Sequence, residues 1–348
     1  MPSEQEDQPT LEELENMRFP WGKETLEHFG ENFGSSQHSF HKLPLFQRDG
    51  LIELLHAHPR RRLQCFTMGN DPEKPDEWRA VCIKGASAEQ LYEAAEKGRI
   101  WINVSNVDHY DPRYRKLLEG TYRALEKDCP NVRSPQLDYN TLTIASPGTQ
   151  YYFHISPEKN MMWNMSGDIR VGMLPALDTR FASQELLEEL VAREASGSIK
   201  YTNEFEQYTT SIDVTGGDCV WWPQLAPIRI SYNSLSVSLW SSYQGRRENG
   251  FARVMLANRY LLRSLGIKSR SMSNIGFWAL VKQGAFAVSN KTIKFQKKYD
   301  FTDGYVTDLR LNLDAPDCLE RVDKLLVPEF SKFAEDKDFA PTEIATNY

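Results

Sequence analysis

The chain has 348 residues, of which 40% are hydrophobic and 26% charged, proportions that are typical of a globular protein with a substantial core. Its net charge of −7 argues against a general nucleic-acid surface, because such binding depends on Lys and Arg that neutralise phosphates. No stretch approaches the roughly 20 apolar residues of a membrane helix, and the acidic N-terminus lacks the features of a signal peptide. Five scattered cysteines without a CxxC pair indicate reduced thiols. We therefore expect a cytoplasmic protein that binds neither nucleic acid nor membranes.

The first 136 residues divide into two regions. Residues 1–45 are predicted to be an extended or partly disordered lead-in, because the first 17 are mostly polar and no clean period follows. Residues 46–136 alternate between helical and strand-like segments and are predicted to form an α/β flank. Its helices are expected at 47–58, after the N-cap Ser87 and from Pro112 to Cys129, and its strands at 61–67, 78–85 and 99–107.

From residue 137 the hydrophobic period changes to two. Turn residues such as Pro147-Gly148 and Gly216-Gly217 separate short strands predicted at 138–146, 150–155, 160–166, 169–175, 209–214, 218–222, 228–232 and 235–242. A helical insert over 183–194 interrupts them. So many short strands in 137–245 predict a barrel or jelly roll. Residues 246–348 are predicted to be mainly helical, at 247–265, 274–286 and 317–335, with an extended piece near 305–313.

Two segments of the strand-rich region carry a family resemblance, YYFHISPEKNMMWNMSGDIRVGMLP (151–175) and VTGGDCVWWPQLAPIRISYNSLSVSLW (214–240). In order and spacing they resemble the core of the JmjC-like, cupin-type Fe(II)- and 2-oxoglutarate-dependent oxygenases, notably the bacterial cupin-like group related to asparaginyl hydroxylases. The resemblance implies an α+β protein with a double-stranded β-helix (cupin/JmjC-like jelly roll), an α/β N-terminal flank and a helical C-terminal region. Because related hydroxylases dimerise through such helices, it also implies a homodimer.

The reactive positions of that family are altered here. The family holds Fe(II) with two histidines and one carboxylate, which leaves coordination sites open for 2-oxoglutarate and oxygen. The resemblance places the first histidine at His154, the carboxylate at Ser156 and the distal histidine at Ile228, and the lysine that commonly holds 2-oxoglutarate falls near Ile169. No histidine follows His154 in the sequence. A degenerate metal site is therefore implied, with no metal ligands and no cofactor expected.

His154 is the candidate catalytic residue, because histidine titrates near neutrality and serves as an acid, a base or a hydrogen-bonding group. It also fits a remnant of an ancestral site, or an unusual metal site with Glu158 or a tyrosine. The candidate ligand-binding residues are polar and aromatic side chains of the predicted strands: Tyr152, Ser156, Asn160, Trp163, Arg170, Trp222, Arg229 and Trp240. Most of the aromatic members are expected in the core, and an exposed salt bridge is the default interpretation of the two arginines.

Two other sequences that contain histidine are interpreted as structural. His109-Tyr110-Asp111 is a literal H-x-D, but it lies between a predicted strand and a Pro-initiated helix, outside the jelly roll. His56 and His58 end a predicted helix, where cationic side chains are favourable.

Two functions follow from the sequence. The first is a ligand-binding protein or metal-independent enzyme that acts on a small molecule or peptide. The alternative is an active 2-oxoglutarate-dependent hydroxylase that uses Fe(II) in an unusual site.

Overall fold

The computed structural model describes residues 19–292, apart from 70, 72, 75, 76 and 269, together with residues 304–335. Its helices are α1 (Lys23–His28), α2 (Arg48–Ala57), α3 (Ala88–Lys97), α4 (Val107–Tyr110), α5 (Pro112–Asp128), α6 (Gln184–Val191), α7 (Arg246–Ala257) and α8 (Phe277–Thr292). Its strands are β1 (Gly34–Gln37), β2 (Leu63–Thr67), β3 (Arg79–Ala80), β4 (Trp101–Ser105), β5 (Gln136–Ala145), β6 (Gln150–Ile155), β7 (Lys159–Ser166), β8 (Ile169–Met173), β9 (Thr210–Val214), β10 (Asp218–Trp222), β11 (Pro227–Tyr232), β12 (Ser236–Gln244), β13 (Thr307–Leu311) and β14 (Leu319–Leu326).

The strands form two large antiparallel sheets and one separate hairpin. The eight-stranded sheet has the order β1-β10-β7-β12-β5-β4-β2-β3, and the four-stranded sheet has the order β6-β11-β8-β9. Strands β13 and β14 form a two-stranded hairpin, which an isolated bridge between Arg310 and Cys82 joins to the flank. The chain is thus a mixed α/β protein with large antiparallel sheets, and each strand predicted between 138 and 242 has a counterpart among β5 to β12.

The eight-stranded sheet is covered on both faces, which explains why β7 is buried along nearly its whole length. On one face, Met161 and Trp163 pack with α2, α3, α5 and the lead-in. On the other face, Met162 packs with Ile169 and Ile230 of the four-stranded sheet. Successive side chains of a strand point to opposite faces, so neighbours in sequence enter different cores.

Local sequence signals account for the flank helices. Ser87 and Gln90 form a capping box at the start of α3, with Ser87 Oγ accepting from Gln90 N at 3.2 Å. The α5 helix begins with Pro112, and the Asp111 carboxylate accepts from Arg113 N at 2.9 Å.

The described part of the predicted lead-in contributes to the core, because Phe19 is 7% exposed and Phe29 fully buried. Residues 1–18 lie outside the described residues.

The predicted C-terminal helix over 317–335 is wrong. Residues 319–326 form β14, which pairs with β13. The helical residues described in this span belong to two short 3₁₀ turns, Pro316–Cys318 and Lys332–Glu335. The hairpin turn contains Asp317 and Cys318, both with positive φ (53° and 58°). Two such residues break a helix, and they return the chain along β13. Within the described ranges, no helix combines the length and the apolar composition needed to cross a membrane.

Candidate functional site

A cavity of about 1130 Å³ opens where β6 ends and β7 begins, and we call it the β6–β7 cavity. Its walls come from four parts of the chain: residues 60–62, residues 154–160, the end of the insert at 193–197, and the C-terminal segment 329–334. Tyr139 and Ser242 add a polar floor, in which Ser242 Oγ donates to Tyr139 O at 2.8 Å. The cavity is large enough for a small molecule or a peptide side chain.

His154 lies in β6 and lines this cavity. Its ring centroid is 5.6 Å from that of Tyr151, and burial lowers the pKa of His154 to about 4. The imidazole is therefore neutral at pH 7. It has no hydrogen-bond partner among the residues that the structure describes, which leaves one donor and one acceptor for a ligand.

Ile228 stands directly opposite His154 in the antiparallel pairing of β11 with β6. Directly paired residues project their side chains from the same face of a sheet, with Cβ atoms about 4.5–5.5 Å apart. The position at which the sequence resemblance places the distal histidine is therefore adjacent to His154. Ile228 is 3% exposed and belongs to the apolar cluster between the two sheets.

The other two altered positions also have defined surroundings. Ser156 lines the cavity, and its hydroxyl donates to Glu158 Oε2 at 2.7 Å. Ile169 is 1% exposed in the same apolar cluster as Ile228. The backbone of Gly197 lies against His154, since a Cβ added at Gly197 would come within 2.7 Å of His154 Nε2. That nitrogen is thus partly covered by the insert.

An arginine and two carboxylates complete the cavity, and sequence reasoning missed the arginine and one of the acids. Arg193 Nη2 donates to Asp138 Oδ2 at 2.8 Å and to Glu158 Oε1 at 3.1 Å. Burial raises the pKa of Glu158, against the lowering effect of the bonds from Ser156 and Arg193. The sequence suggests Glu158 only as a metal ligand, and no sequence signal connects it with Arg193.

The predicted ligand-binding residues divide among four places. Ser156 and Asn160 lie at the cavity with His154. Between the two sheets lie Tyr152, Trp222 and Trp240.

The remaining three lie away from the cavity. Trp163 packs on the opposite face of the large sheet, stacked on Phe19 at 5.6 Å. Arg170 forms an exposed ion pair with Asp213 at 3.1 Å. Arg229 pairs with Glu206, so the charges of both arginines are compensated within the protein.

The H-x-D sequence and His58 have structural roles. Asp111 of the H-x-D sequence caps α5, as the sequence predicts. His58 is buried, and its Nε2 is 3.0 Å from Ser105 O. Among the described residues, no group of three or more His, Cys, Asp or Glu is arranged to hold a metal ion.

Comparison with known proteins gives structural neighbours only. No protein-family model and no curated protein sequence matches the chain. An X-ray structure of E. coli ycfD matches with a TM-score of 0.46 and 13% identity, over 81% of this chain and 71% of that one. The E. coli ribosomal oxygenase YcfD in complex with cobalt and 2-oxoglutarate matches with a TM-score of 0.45 and 12% identity, over 78% and 67% of the two chains.

A third neighbour, the formate complex of Lactobacillus farciminis oxalate decarboxylase, has a TM-score of 0.21 and 13% identity and covers 34% of this chain and 27% of that one. The predicted resemblance to 2-oxoglutarate-dependent oxygenases is confirmed to this extent: ribosomal oxygenases are among the structural neighbours. Identities and TM-scores this low transfer neither an activity nor a ligand to this chain.

Proposed function

We propose that this chain binds a small molecule or peptide in the β6–β7 cavity without iron or 2-oxoglutarate, as a binding protein or as a metal-independent enzyme. One observation carries the proposal: Ile228 stands where a second histidine would have to face His154. Fe(II) in oxygenases of this kind needs two imidazoles and a carboxylate, whereas the predicted positions supply one imidazole, one hydroxyl and one apolar side chain. These residues do not fit that ion.

The strand order supports the finer fold proposal, a double-stranded β-helix over β5 to β12. In such a jelly roll of eight strands, the first, eighth, third and sixth are neighbours in one sheet, and the second, seventh, fourth and fifth are neighbours in the other. Here β5-β12-β7-β10 are neighbours in one sheet while β6-β11-β8-β9 form the other, which is that order. The apolar cluster between the sheets then fills the interior of the β-helix. On this proposal His154 lies at the mouth, and Ile169 occupies the interior position that a lysine would need in order to hold 2-oxoglutarate.

Metal analysis decides between this proposal and the alternative, a 2-oxoglutarate-dependent oxygenase with an unusual metal site. The protein is purified anaerobically with Fe(II) and 2-oxoglutarate, and bound iron and released succinate are measured. We expect neither. Stoichiometric iron with succinate release that His154→Ala abolishes would overturn the proposal in favour of the alternative.

A rebuilt site tests the placement of the lost ligands. Ile228→His with Ser156→Asp restores two imidazoles and a carboxylate on one face, so we expect the double variant to bind Co(II), detected by visible absorption. Ile230→His with Ser156→Asp is the matched control, because Ile230 pairs with Tyr151 rather than with His154. Equal Co(II) binding by the two variants, or none by either, would contradict the assignment of Ile228.

We also propose that the chain forms a homodimer through its C-terminal helices. Eight large apolar residues between 265 and 288 are exposed, including Phe277 (72%), Trp278 (73%) and Leu280 (66%) of α8. Exposed apolar surface concentrated on one helix supports a protein contact, and the related hydroxylases make theirs with the same part of the chain. The five cysteines, all buried and none in a disulfide, support the proposal of a cytoplasmic protein.

A further inference from the structure

The chain beyond α6 makes a short antiparallel pairing with the edge of the four-stranded sheet. Strand β6 is an outer strand of that sheet, and residues 197–199, which we call the covering segment, lie alongside it. Ile155 N donates to Gly197 O at 2.8 Å, and Ser198 pairs with His154 in an isolated antiparallel bridge. The covering segment therefore lies directly beside the imidazole.

The close approach of the covering segment requires a residue without a side chain at position 197. A Cβ added at Gly197 would lie 2.1 Å from Ile155 O and 2.7 Å from His154 Nε2. Both distances are far below van der Waals contact, so any other residue would displace the segment from β6. A ligand that binds on the Nε2 side of His154 needs the covering segment to move away.

Three residues before Gly197, two adjacent residues of a π-helical turn bind the carboxylate of Glu194. This turn, Asn258–Leu262, directly follows α7. Arg259 Nε donates to Glu194 Oε2 at 3.0 Å, and Tyr260 OH donates to Oε1 at 2.6 Å. The side chains of Arg259 and Glu194 are 18% and 21% exposed, so water screens the contact only partly. Both oxygens thus accept charge-assisted hydrogen bonds, which are stronger than bonds between neutral groups.

The π-helical turn is the local feature that accompanies this double contact. Residues i and i+1 of an α-helix do not face each other, yet Arg259 and Tyr260 both reach Glu194. Arg263 N donates to Asn258 O at 3.0 Å, which is the i to i+5 bond of a π-helix. Such turns are rare and occur frequently at functional sites. Burial and the neighbouring carboxylate raise the pKa of Tyr260, so the phenol keeps its proton and acts as the donor.

The bonds to Glu194 restrict where the covering segment can lie. Three residues span at most about 10–11 Å, so Gly197 cannot move far while Glu194 is bound. The preceding residue, Arg193, is attached to the cavity wall, because its Nη2 donates to Glu158 at 3.1 Å. The end of the insert is therefore attached on one side to the cavity and on the other to the π-helical turn.

We propose that Glu194, bound by Arg259 and Tyr260, is a positioning residue of the β6–β7 cavity: these bonds hold the covering segment against His154 and close the Nε2 side of the ring to ligands. The inference rests on the proposed function of the cavity as a ligand site, and it concerns access to that site. Glu194 acts on His154 through the covering segment, whose release opens this side of the ring.

The accessibility and the pKa of His154 test the inference. Diethyl pyrocarbonate acylates neutral imidazole, and mass spectrometry gives the rate for each histidine, with the exposed His56 as the internal reference. Glu194→Ala removes bonds to a charged group and should accelerate the reaction of His154 about 10-fold. An NMR titration of the ring, assigned by its loss in His154→Gln, should show the pKa rising from about 4 toward its ordinary value, since easier opening lets the charged ring reach water.

Three further variants serve as controls. Gly197→Ala displaces the covering segment by steric overlap and leaves Glu194 intact, so it should change both readouts in the same direction. Arg263→Gln is the matched negative control, because Arg263 forms ion pairs with Glu185 and Glu189 of the same insert. It should leave the rate and the pKa of His154 unchanged. Tyr260→Phe removes one of the hydrogen bonds at constant shape and should accelerate the reaction by a smaller factor than Glu194→Ala.

An unchanged rate and pKa of His154 in Glu194→Ala and Tyr260→Phe, with both changed in Gly197→Ala, would overturn the role of Glu194. The inference also fails if Arg263→Gln acts as strongly as Glu194→Ala, or if Gly197→Ala has no effect. If Glu194→Ala does not fold, Tyr260→Phe alone decides. The metal assay separates these failures from that of the proposed function, because iron with succinate release would overturn the proposed function whatever the reactivity of His154.

Discussion

The buried ion pair between Lys159 and Glu248 connects the first residue of β7 with the first turn of α7. Lys159 Nζ lies 2.8 Å from Glu248 Oε1, and the two side chains are 7% and 5% exposed. Glu248 Oε2 also accepts from Gly245 N at 3.0 Å. Glu248→Gln keeps the shape and an acceptor for Gly245 but leaves the ammonium of Lys159 buried without a counter-charge. Breaking a buried pair in this way costs about 3–5 kcal/mol of unfolding free energy.

Urea unfolding followed by tryptophan fluorescence measures that loss as a shift of the midpoint at unchanged slope. Replacing both partners, with Lys159→Met and Glu248→Gln together, should recover most of the stability, because no uncompensated charge remains. Asp213→Asn in the exposed pair with Arg170 is the control and should cost about 0–1 kcal/mol. A loss below about 1 kcal/mol for Glu248→Gln, equal to that of the control, would refute the reasoning.

Three further predictions follow from the site and the C-terminal helices. Because burial lowers the pKa of His154 from 6.5 to about 4, the unfolded chain binds a proton in this window that the native state does not. The unfolding free energy should therefore fall as the pH drops from 6.5 to 4, and a His154→Gln variant with an equally steep decline in urea midpoints would count against this. Arg193→Gly should be about 1 kcal/mol more stable to urea than Arg193→Ala, since only Gly suits the positive φ, and equal stabilities would contradict the left-handed conformation. Trp278→Glu with Leu280→Glu should halve the mass measured by light scattering while Tyr208→Glu leaves it unchanged; a native protein that is already monomeric would disprove the dimer.

The strands of the two sheets could be predicted because their signals are local. Alternation of apolar and polar residues gives a strand, and glycine marks the turns where the backbone needs positive φ: Gly148 (77°), Gly167 (84°) and Gly217 (100°). The same parity would also have separated Trp163 from Asn160 and Met162, since odd and even residues of β7 face different layers. That rule assigns Trp163 to the core on the face opposite to that of Met162.

The C-terminal hairpin could not be recognised from periodicity alone. The sequence LERVDKLL (319–326) has apolar residues at 319, 322, 325 and 326, a spacing that a helix also accepts. The segment is a strand because it pairs with β13, and that pairing depends on the turn at Asp317 and Cys318. The preceding Ala-Pro-Asp was a turn signal that favoured a hairpin.

Some residues of the site are close together in the sequence, whereas others are brought together only by the fold. His154, Ser156 and Asn160 are close in sequence, so a motif could find them together. Arg193 reaches Glu158 across 35 positions and Asp138 across 55, and its place after α6 lacks the glycine that usually marks such a turn. Contacts of that kind arise from the packing of the insert, for which a single sequence carries no pattern.

On the proposed function, the altered positions stabilise one another against reversion. Burial of an isoleucine side chain contributes about 1.5–3 kcal/mol, so Ile228 and Ile169 stabilise the interior that they fill. A single change of Ile228 to histidine would bury an imidazole among apolar groups and still supply no carboxylate, at a net cost in stability. The backbone of Gly197 lies against His154, and Glu158 is already paired with Arg193. A metal site would therefore require changes both in the strands and in the segment at 193–197. Any activity of this chain should therefore first be sought in the metal-free protein.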